Sequence, residues 1–583
     1  MISRIRRARA QEPESGLAMV MVIGVSAVLA IFMVAAIAFA VGSHRSARNT
    51  QDWNSAMAAA YAGIEEYQSR LANDTTYFQY GNPAATFEPA SDVTLPTGAS
   101  TNPAFGVGAG GTWADVAGSN GKASFRYEVD NSKYYADGTL RLRSTGMAGG
   151  ETRTIVADLK QQGFIDFLYF TDYEIQDPEI SGKSVSTCVK YAWAGRPTSG
   201  GGCSEIAFGS GDTIKGPLHS NDTLRICQAT FQGPVTTSYN PPTGLKYLKQ
   251  DSNGSGCSGQ ALLPGYPAYS PVISMPPTNS QIKREVRSDR PADVPRPGCL
   301  YTGPTTIKFN SNGTMTVRSP WTKFTNVKND TPGPSDGSLN PDCGTPGTGA
   351  NQLGSAGGQT LTVPENNVVF VQNVPTSTTD PNYRSATPSG LSVSSGANGS
   401  NGLGFPMSQE TTPKGATSTR PAYGFKNGDV FVQGTLKGRV TVAAENYIYV
   451  TDDVKYGDSS RDMLGLVGNN AVWVWNPVKN STKLLSGSNR RIDAAILSVA
   501  HTFQVQNYDT GGDRGTLTVN GAIAQKFRGI VRSGSHGYKK DYNYDNRFRY
   551  TAPPKFLSPV TTTYGVNVWV EVSPVMDSDG TYR

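Results

Sequence analysis

The chain has 583 residues, too many for one small domain and enough for several. Only 17% of its residues are charged, against about 25% in an average soluble domain, while Gly (65) and Pro (37) are plentiful. This composition excludes collagen, a wholly disordered chain and a helical bundle, and it favours a turn-rich β protein. The net charge of +6 is small for the length, and no Lys/Arg run occurs beyond the first ten residues, so no nucleic-acid partner is expected.

The N-terminus sets the compartment. Arg4, Arg6, Arg7 and Arg9 precede a charge-free run from Leu17 to Val41. Those 25 residues would span about 38 Å as a helix, more than the ~30 Å hydrocarbon core. The basic excess on the N-terminal side predicts a cytoplasmic leader over 1–16 and an exported remainder. A cleaved signal peptide is the rival reading, with Ala38-Phe39-Ala40 as its small-residue site, but such peptides carry an apolar region of only about 7–15 residues. Helical spacing also continues past the run, with Ala56, Ala60, Ile64, Tyr67 and Leu71 on one face. A single helix over 17–71, first transmembrane and then amphipathic, is therefore expected.

A basic leader, then Gly16, a long apolar helix and the continuation Ala60-x-Ala62-Gly63-Ile64-Glu65 to Leu71 resemble the N-terminus of type IV pilin-like proteins. The nearest resemblance is to PilX-type and type II secretion K-type minor pilins. It implies that a prepilin peptidase cuts between Gly16 and Leu17 and that the new N-terminus is methylated. The family's major subunits carry Glu five residues into the mature chain; here that position is Met21, which implies a minor or tip-type subunit. A buried intramembrane carboxylate is costly unless a neighbouring subunit pairs with it, so a subunit present in few copies has less need of one.

The exported part begins with a loop-like stretch over 73–120. Alternation follows in Lys122–Asp130, Thr139–Gly146 and Thr152–Lys160, with turns at Asp137-Gly138 and Gly149-Gly150. This predicts a three-stranded antiparallel meander inside a pilin-like region, 72–163. An aromatic-rich segment, Phe164–Glu174, leads into a region of internal similarity. Thr362–Val374 resembles Thr441–Val454, with a partial third copy at Gly468–Val478, and Gly428–Leu436 resembles Gly515–Ile523. Short strands with Gly and Asn corners bury a face only when stacked. The whole of 164–583 is expected to be a mainly β, solenoid-like or β-helix-like exported domain, with a β-sandwich as the competing fold. The Gly/Pro/Ser/Asn-dense segments 238–300, 329–358 and 375–420 read as surface loops, partly disordered.

Six cysteines, Cys188, Cys203, Cys227, Cys257, Cys299 and Cys343, lie in one stretch with no CxxC. An even number on the exported side implies three disulfides, and no zinc site is expected. Sequence order suggests Cys188–Cys203, Cys227–Cys257 and Cys299–Cys343, each closing a loop-rich insertion at roughly 3–4 kcal/mol.

No catalytic centre, metal or cofactor is expected. GxSxG, HExxH and P-loop motifs are absent. His44 flanks the membrane run, His501 lies in a strand pattern, and His219-Ser220 with Asp222 are too close in sequence to converge as a triad. Asp452, Asp453, Asp458 and Asp462 invite calcium, but without EF-hand spacing and with Lys455 and Arg461 as ready partners. Trp473 and Trp475 share a strand face and read as core. The expected function is that of a structural minor-pilin-like subunit of a type IV pilus or related secretion filament, not an enzyme. Its partners would be the membrane, other pilin-like subunits and prepilin peptidase, and it would display its β-rich domain at the cell surface for assembly or adhesion. Alternatives are a surface-anchored polysaccharide-active β-helix enzyme and a plain single-pass surface protein.

Overall fold

The computed structural model describes residues 15–583 apart from 75–76, 86, 97–100, 108–111, 135–138, 162, 198–201, 259–260, 263–264, 292–293, 330–332, 398, 415, 417–420, 550 and 560–563. The chain divides into two compact units, 1–161 with 562–583, and 162–561. The large unit is thus an insertion between two segments of the first. This corrects the expectation that 164–583 forms one domain: its last 22 residues belong with the N-terminal unit.

The first unit is built on α1, Ser15–Asn73. Its sheet contains β1 (Ala114–Asp115), β2 (Ala123–Asp130), β3 (Thr139–Ala148), β4 (Glu151–Gln161) and a final strand, Tyr564–Val572. The predicted meander is present: Phe125 faces Gly146 and Ser144 faces Ile155 in antiparallel register. Gly149 and Gly150 both have positive φ, which the tight turn between β3 and β4 needs. The turn expected at Asp137-Gly138 lies outside the described residues. The final strand pairs antiparallel with β4, so Trp569 faces Ala157 and Val572 faces Thr154. Its alternating sequence, Gly565–Val572, is a strand signal.

The second unit consists mainly of parallel ladders. One joins, neighbour to neighbour, Cys299–Thr302, Asn367–Gln372, Arg439–Ala444, Met463–Gly468, Arg490–Ser498, Asp513–Phe527, Tyr169–Tyr173, Leu218–Ser220 and Val235–Thr237. Its register stacks one apolar residue per strand into a column: Cys299, Val369, Val442, Leu466, Ile496, Ile523, Tyr169, Leu218 and Val235. All nine are buried in one core. Each buried aliphatic in such a column contributes about 1.5–3 kcal/mol. A second ladder joins Thr305–Asn310, Val430–Leu436, Tyr447–Tyr456, Ala471–Val474 and Phe503–Val505. A third uses the first halves of Arg490–Ser498 and Asp513–Phe527, followed by His536–Tyr544, Thr213–Lys215 and Thr230–Phe231. These pairings are parallel, where a β-sandwich would pair antiparallel.

Chain order and spatial order differ here. Tyr169–Tyr173, the unit's first strand, lies in mid-ladder between Asp513–Phe527 and Leu218–Ser220. The two ends of the unit consequently meet: the Tyr544 hydroxyl donates to the Ile165 carbonyl at 2.9 Å. An inserted domain requires adjacent ends.

The structure also corrects the repeat alignment. Tyr447 pairs with Ala471, so the copies at Thr441–Val454 and Gly468–Val478 are true ladder neighbours. Asn367–Gln372 instead pairs with Arg439–Ala444, one strand earlier. Buried strands on every ladder share the same two-residue alternation, so residue type alone does not distinguish them. The corner residues of the two true neighbours do stack: Asn470 donates to Asn446, whose own amide donates to Asp429 Oδ1 at 2.5 Å. The described residues of 375–420 form no helix or strand, as expected, but are packed: Phe405 stacks on Phe431 at 3.8 Å, and buried Asn382 accepts the N–H groups of Lys323 and Phe324.

Asp429 carries a pH dependence. It is fully buried, and burial pushes its carboxyl up to about 8. A folded value above the unfolded one (about 3.9) means that its stabilising contribution is complete below about pH 4 and is lost as pH rises through 8. Asp429→Asn has the shape of the neutral acid. Calorimetry of the full chain should show it about 2 kcal/mol or more above the wild type at pH 9, with the gap closing toward pH 5. Parallel pH profiles for the two proteins would refute this assignment.

Candidate functional site

The two halves of α1 face different surroundings. From Met19 to Val41 its large apolar side chains, Met21 among them, are exposed, and no charged residue interrupts them. Val and Ile are weak helix formers in water, but in hydrocarbon a helix satisfies every backbone polar group internally. The helix is long and apolar enough to cross a membrane. The Gly16–Leu17 bond falls in its first turn; the side chains of 15–17 and all of 1–14 lie outside the described residues. His44 is exposed on the same helix, just past the apolar run.

The second half is a packing element. The predicted stripe, Ala56, Ala60, Ile64, Tyr67 and Leu71, is fully buried against the sheet. Small residues bring the backbones together: a Cβ at Gly146 would lie 2.1 Å from the Ala56 carbonyl oxygen. Farther along, Tyr67 meets Tyr127 edge-on at 5.2 Å, and the Tyr127 hydroxyl donates to Glu66 at 2.7 Å. Burial raises the Tyr127 phenol well above its ordinary value, so it remains a donor. Asn102, buried, donates to the hydroxyls of both Tyr77 and Tyr127. The outer flank pairs Tyr61 with Trp569 at 4.8 Å and sets the Arg153 guanidinium 4.6 Å above Trp53.

In the second unit the three disulfides are Cys188–Cys203, Cys227–Cys257 and Cys299–Cys343. His219 is buried and ring-stacked on Phe170, with Thr236 and Asn221 on its two nitrogens, and burial pushes it down to about 4. Ser220 accepts the Asp222 N–H, while Asp222 turns toward Arg196, so the three do not converge. His501 bonds Asp177 at 2.6 Å, and Asp177 also accepts the Glu179 N–H at the start of a short helix. His536 accepts the Gly512 N–H. Trp473 and Trp475 are buried.

The aspartates of 452–462 separate. Asp452 pairs with Arg490, Asp453 with Lys455 at 3.4 Å, and Asp462 accepts the N–H groups of Gly438 and Asp458. Among the described residues no group of three or more His, Cys, Asp or Glu is arranged to hold a metal ion.

Sequence reasoning missed a buried ionic cluster. Arg196 donates to both Glu205 oxygens and to Asp222, and Arg528 pairs with Glu174 at 2.9 Å. Glu174 and Arg528 each follow the last residue of a strand, Tyr169–Tyr173 and Asp513–Phe527, where a charged residue is unremarkable in sequence.

No protein-family model and no curated protein matches the chain. Among solved structures it aligns with the competence-associated pilin ComZ from Thermus thermophilus at 10% identity, over 89% of this chain and 97% of that one. The TM-score is 0.21, too low to establish a shared fold.

Proposed function

We propose that this chain is a structural, non-enzymatic subunit of the minor-pilin type. The carrying observation is the division of α1 into an exposed apolar half and a half buried on an antiparallel sheet. An apolar helical surface is covered equally well by lipid or by the helices of neighbouring subunits, so one helix serves as anchor before assembly and as filament core after it. The Gly16–Leu17 bond is the processing site for a prepilin peptidase. Met21, without a carboxylate, suits a subunit of low copy number. The inserted unit is a β-solenoid, a reading supported by its parallel ladders and stacked apolar column, and three disulfides suit an exported domain displayed at the cell surface.

Mass spectrometry of the mature protein from cells with and without prepilin peptidase tests this. The expected N-terminus is Leu17 with the enzyme and the intact leader without it. An intact leader in both strains, or a start at Val41 or later in the medium, would overturn the assignment.

A further inference from the structure

A cleft of about 1400 Å³ opens on the inserted unit. It is lined by residues at and just after the ends of four strands, Thr305–Asn310, Gln359–Thr362, Val430–Leu436 and Tyr447–Tyr456: 311–313, 362–366, 437–439 and 457–463. The strands leading to three of them are ladder neighbours, Phe309 pairing with Gly434 and Leu436 with Tyr456, so these turns stack. Small-molecule pockets occupy roughly 300–1,000 Å³, so this one suits a short polymer.

The charges of the cleft are unequal in availability. Its carboxylates are engaged by backbone donors: Asp462 takes two N–H groups, Glu365 that of Arg439, and Asp458 that of Ser460. Lys437 and Arg461 are exposed at the rim and form no ion pair among the described residues. Arg439 donates through Nη2 to Thr551 and the Ala552 carbonyl, while its Nε is buried without a hydrogen-bond partner. Between these cations the lining is short and hydroxylated or amidic: Ser311, Thr362, Asn366, Thr435 and Ser460. Guanidinium and ammonium groups recognise carboxylates and sulfates, and hydroxyls and amides recognise hydroxyls.

We propose that this cleft binds an acidic polysaccharide, a chain bearing both hydroxyl and carboxylate or sulfate groups. Nucleic acid fits less well. Single-stranded nucleic acid needs open aromatic platforms, and the one lining ring, Tyr456, lies under the Arg547 guanidinium at 5.1 Å. The proposal does not depend on the filament reading, since a surface protein of any assembly state would present the same cleft.

The test is titration calorimetry of the full chain in detergent micelles, with tetragalacturonate as probe and maltotetraose and a single-stranded DNA oligomer as comparators. Tetragalacturonate should bind, more weakly as salt rises. Lys437→Gln combined with Arg461→Gln should weaken binding by at least about tenfold, the loss of one or two charge-assisted hydrogen bonds. The melting temperature should not change, because both side chains are exposed and unpaired. Lys122→Gln, exposed on the other unit, should bind as the wild type does. Absence of tetragalacturonate binding, an unchanged affinity in the double variant, or tighter binding of either comparator would overturn the proposal.

Discussion

Arg196→Met is expected to destabilise the inserted unit by about 3–5 kcal/mol. The Arg196 guanidinium donates to Glu205 Oε1 at 2.9 Å and Oε2 at 3.1 Å, and to Asp222 Oδ2 at 2.5 Å. All three side chains are buried. Methionine restores most of the volume but leaves two carboxylates out of water. They are not equally exposed to the loss. Asp222 keeps the N–H groups of Glu174, Ala192 and Thr223, whereas among the described residues Glu205 keeps only Arg225, at 3.5 Å. Most of the penalty should therefore sit on Glu205, and adding Glu205→Gln should recover part of it. The loop cannot swing away to rehydrate the charges, because Cys188–Cys203 closes it on both sides of Arg196. Arg196→Lys should also fail, since one ammonium does not reproduce the fork. Trp193 provides a local probe: it stacks on Tyr191 at 4.9 Å and donates to the Asn221 carbonyl at 2.8 Å. Urea titration followed by tryptophan fluorescence and by far-UV circular dichroism would measure the effect. A loss under about 1 kcal/mol would mean that the cluster is not holding the loop.

This cluster also marks where the sequence stops being readable. The stripe from Ala56 to Leu71 was legible because its period is fixed by local helix geometry. The meander strands were legible because alternation and a Gly-Gly turn act over a few residues. The strand Tyr564–Val572 carried an equally clear pattern, yet its partner β4 lies some 400 residues earlier. Pattern gives a strand's type but not its neighbour, so it does not reveal that residues 562–583 return to the first unit. The same limit displaced the first repeat copy by one strand and hid the entry of Tyr169–Tyr173 into mid-ladder. Arg528 and Glu174, and the turns that build the cleft, are likewise brought together only by ladder order.

Gly146→Val is expected to abolish ordered packing in the first unit while leaving its membrane anchor intact. A Cβ at 146 would sit 2.1 Å from the Ala56 carbonyl oxygen and 2.3 Å from the Ala60 nitrogen. Both are helix backbone, so no side-chain rotation relieves the clash, and α1 must lift from β3. Lifting it uncovers Ile64, Tyr67 and Leu71, each worth about 1.5–3 kcal/mol when buried. The cost therefore exceeds the 1–3 kcal/mol of ordinary overpacking. The opposing surface has no slack either: on the helix side, a Cβ at Gly63 would lie 2.4 Å from Ser144 Oγ. Gly150→Ala makes the contrasting control. Nothing lies within 4 Å of its Cβ, so only its positive φ is strained, at roughly 1 kcal/mol. Residues Met19 to Val41 are untouched by either change, so both variants should stay in the membrane fraction. Limited proteolysis of that fraction separates the two effects: the valine variant should be cut rapidly within 74–161 and the alanine variant at nearly the wild-type rate. Wild-type resistance in Gly146→Val would show that the helix does not rest on the sheet at this glycine, and with that the two-part reading of α1 would fall.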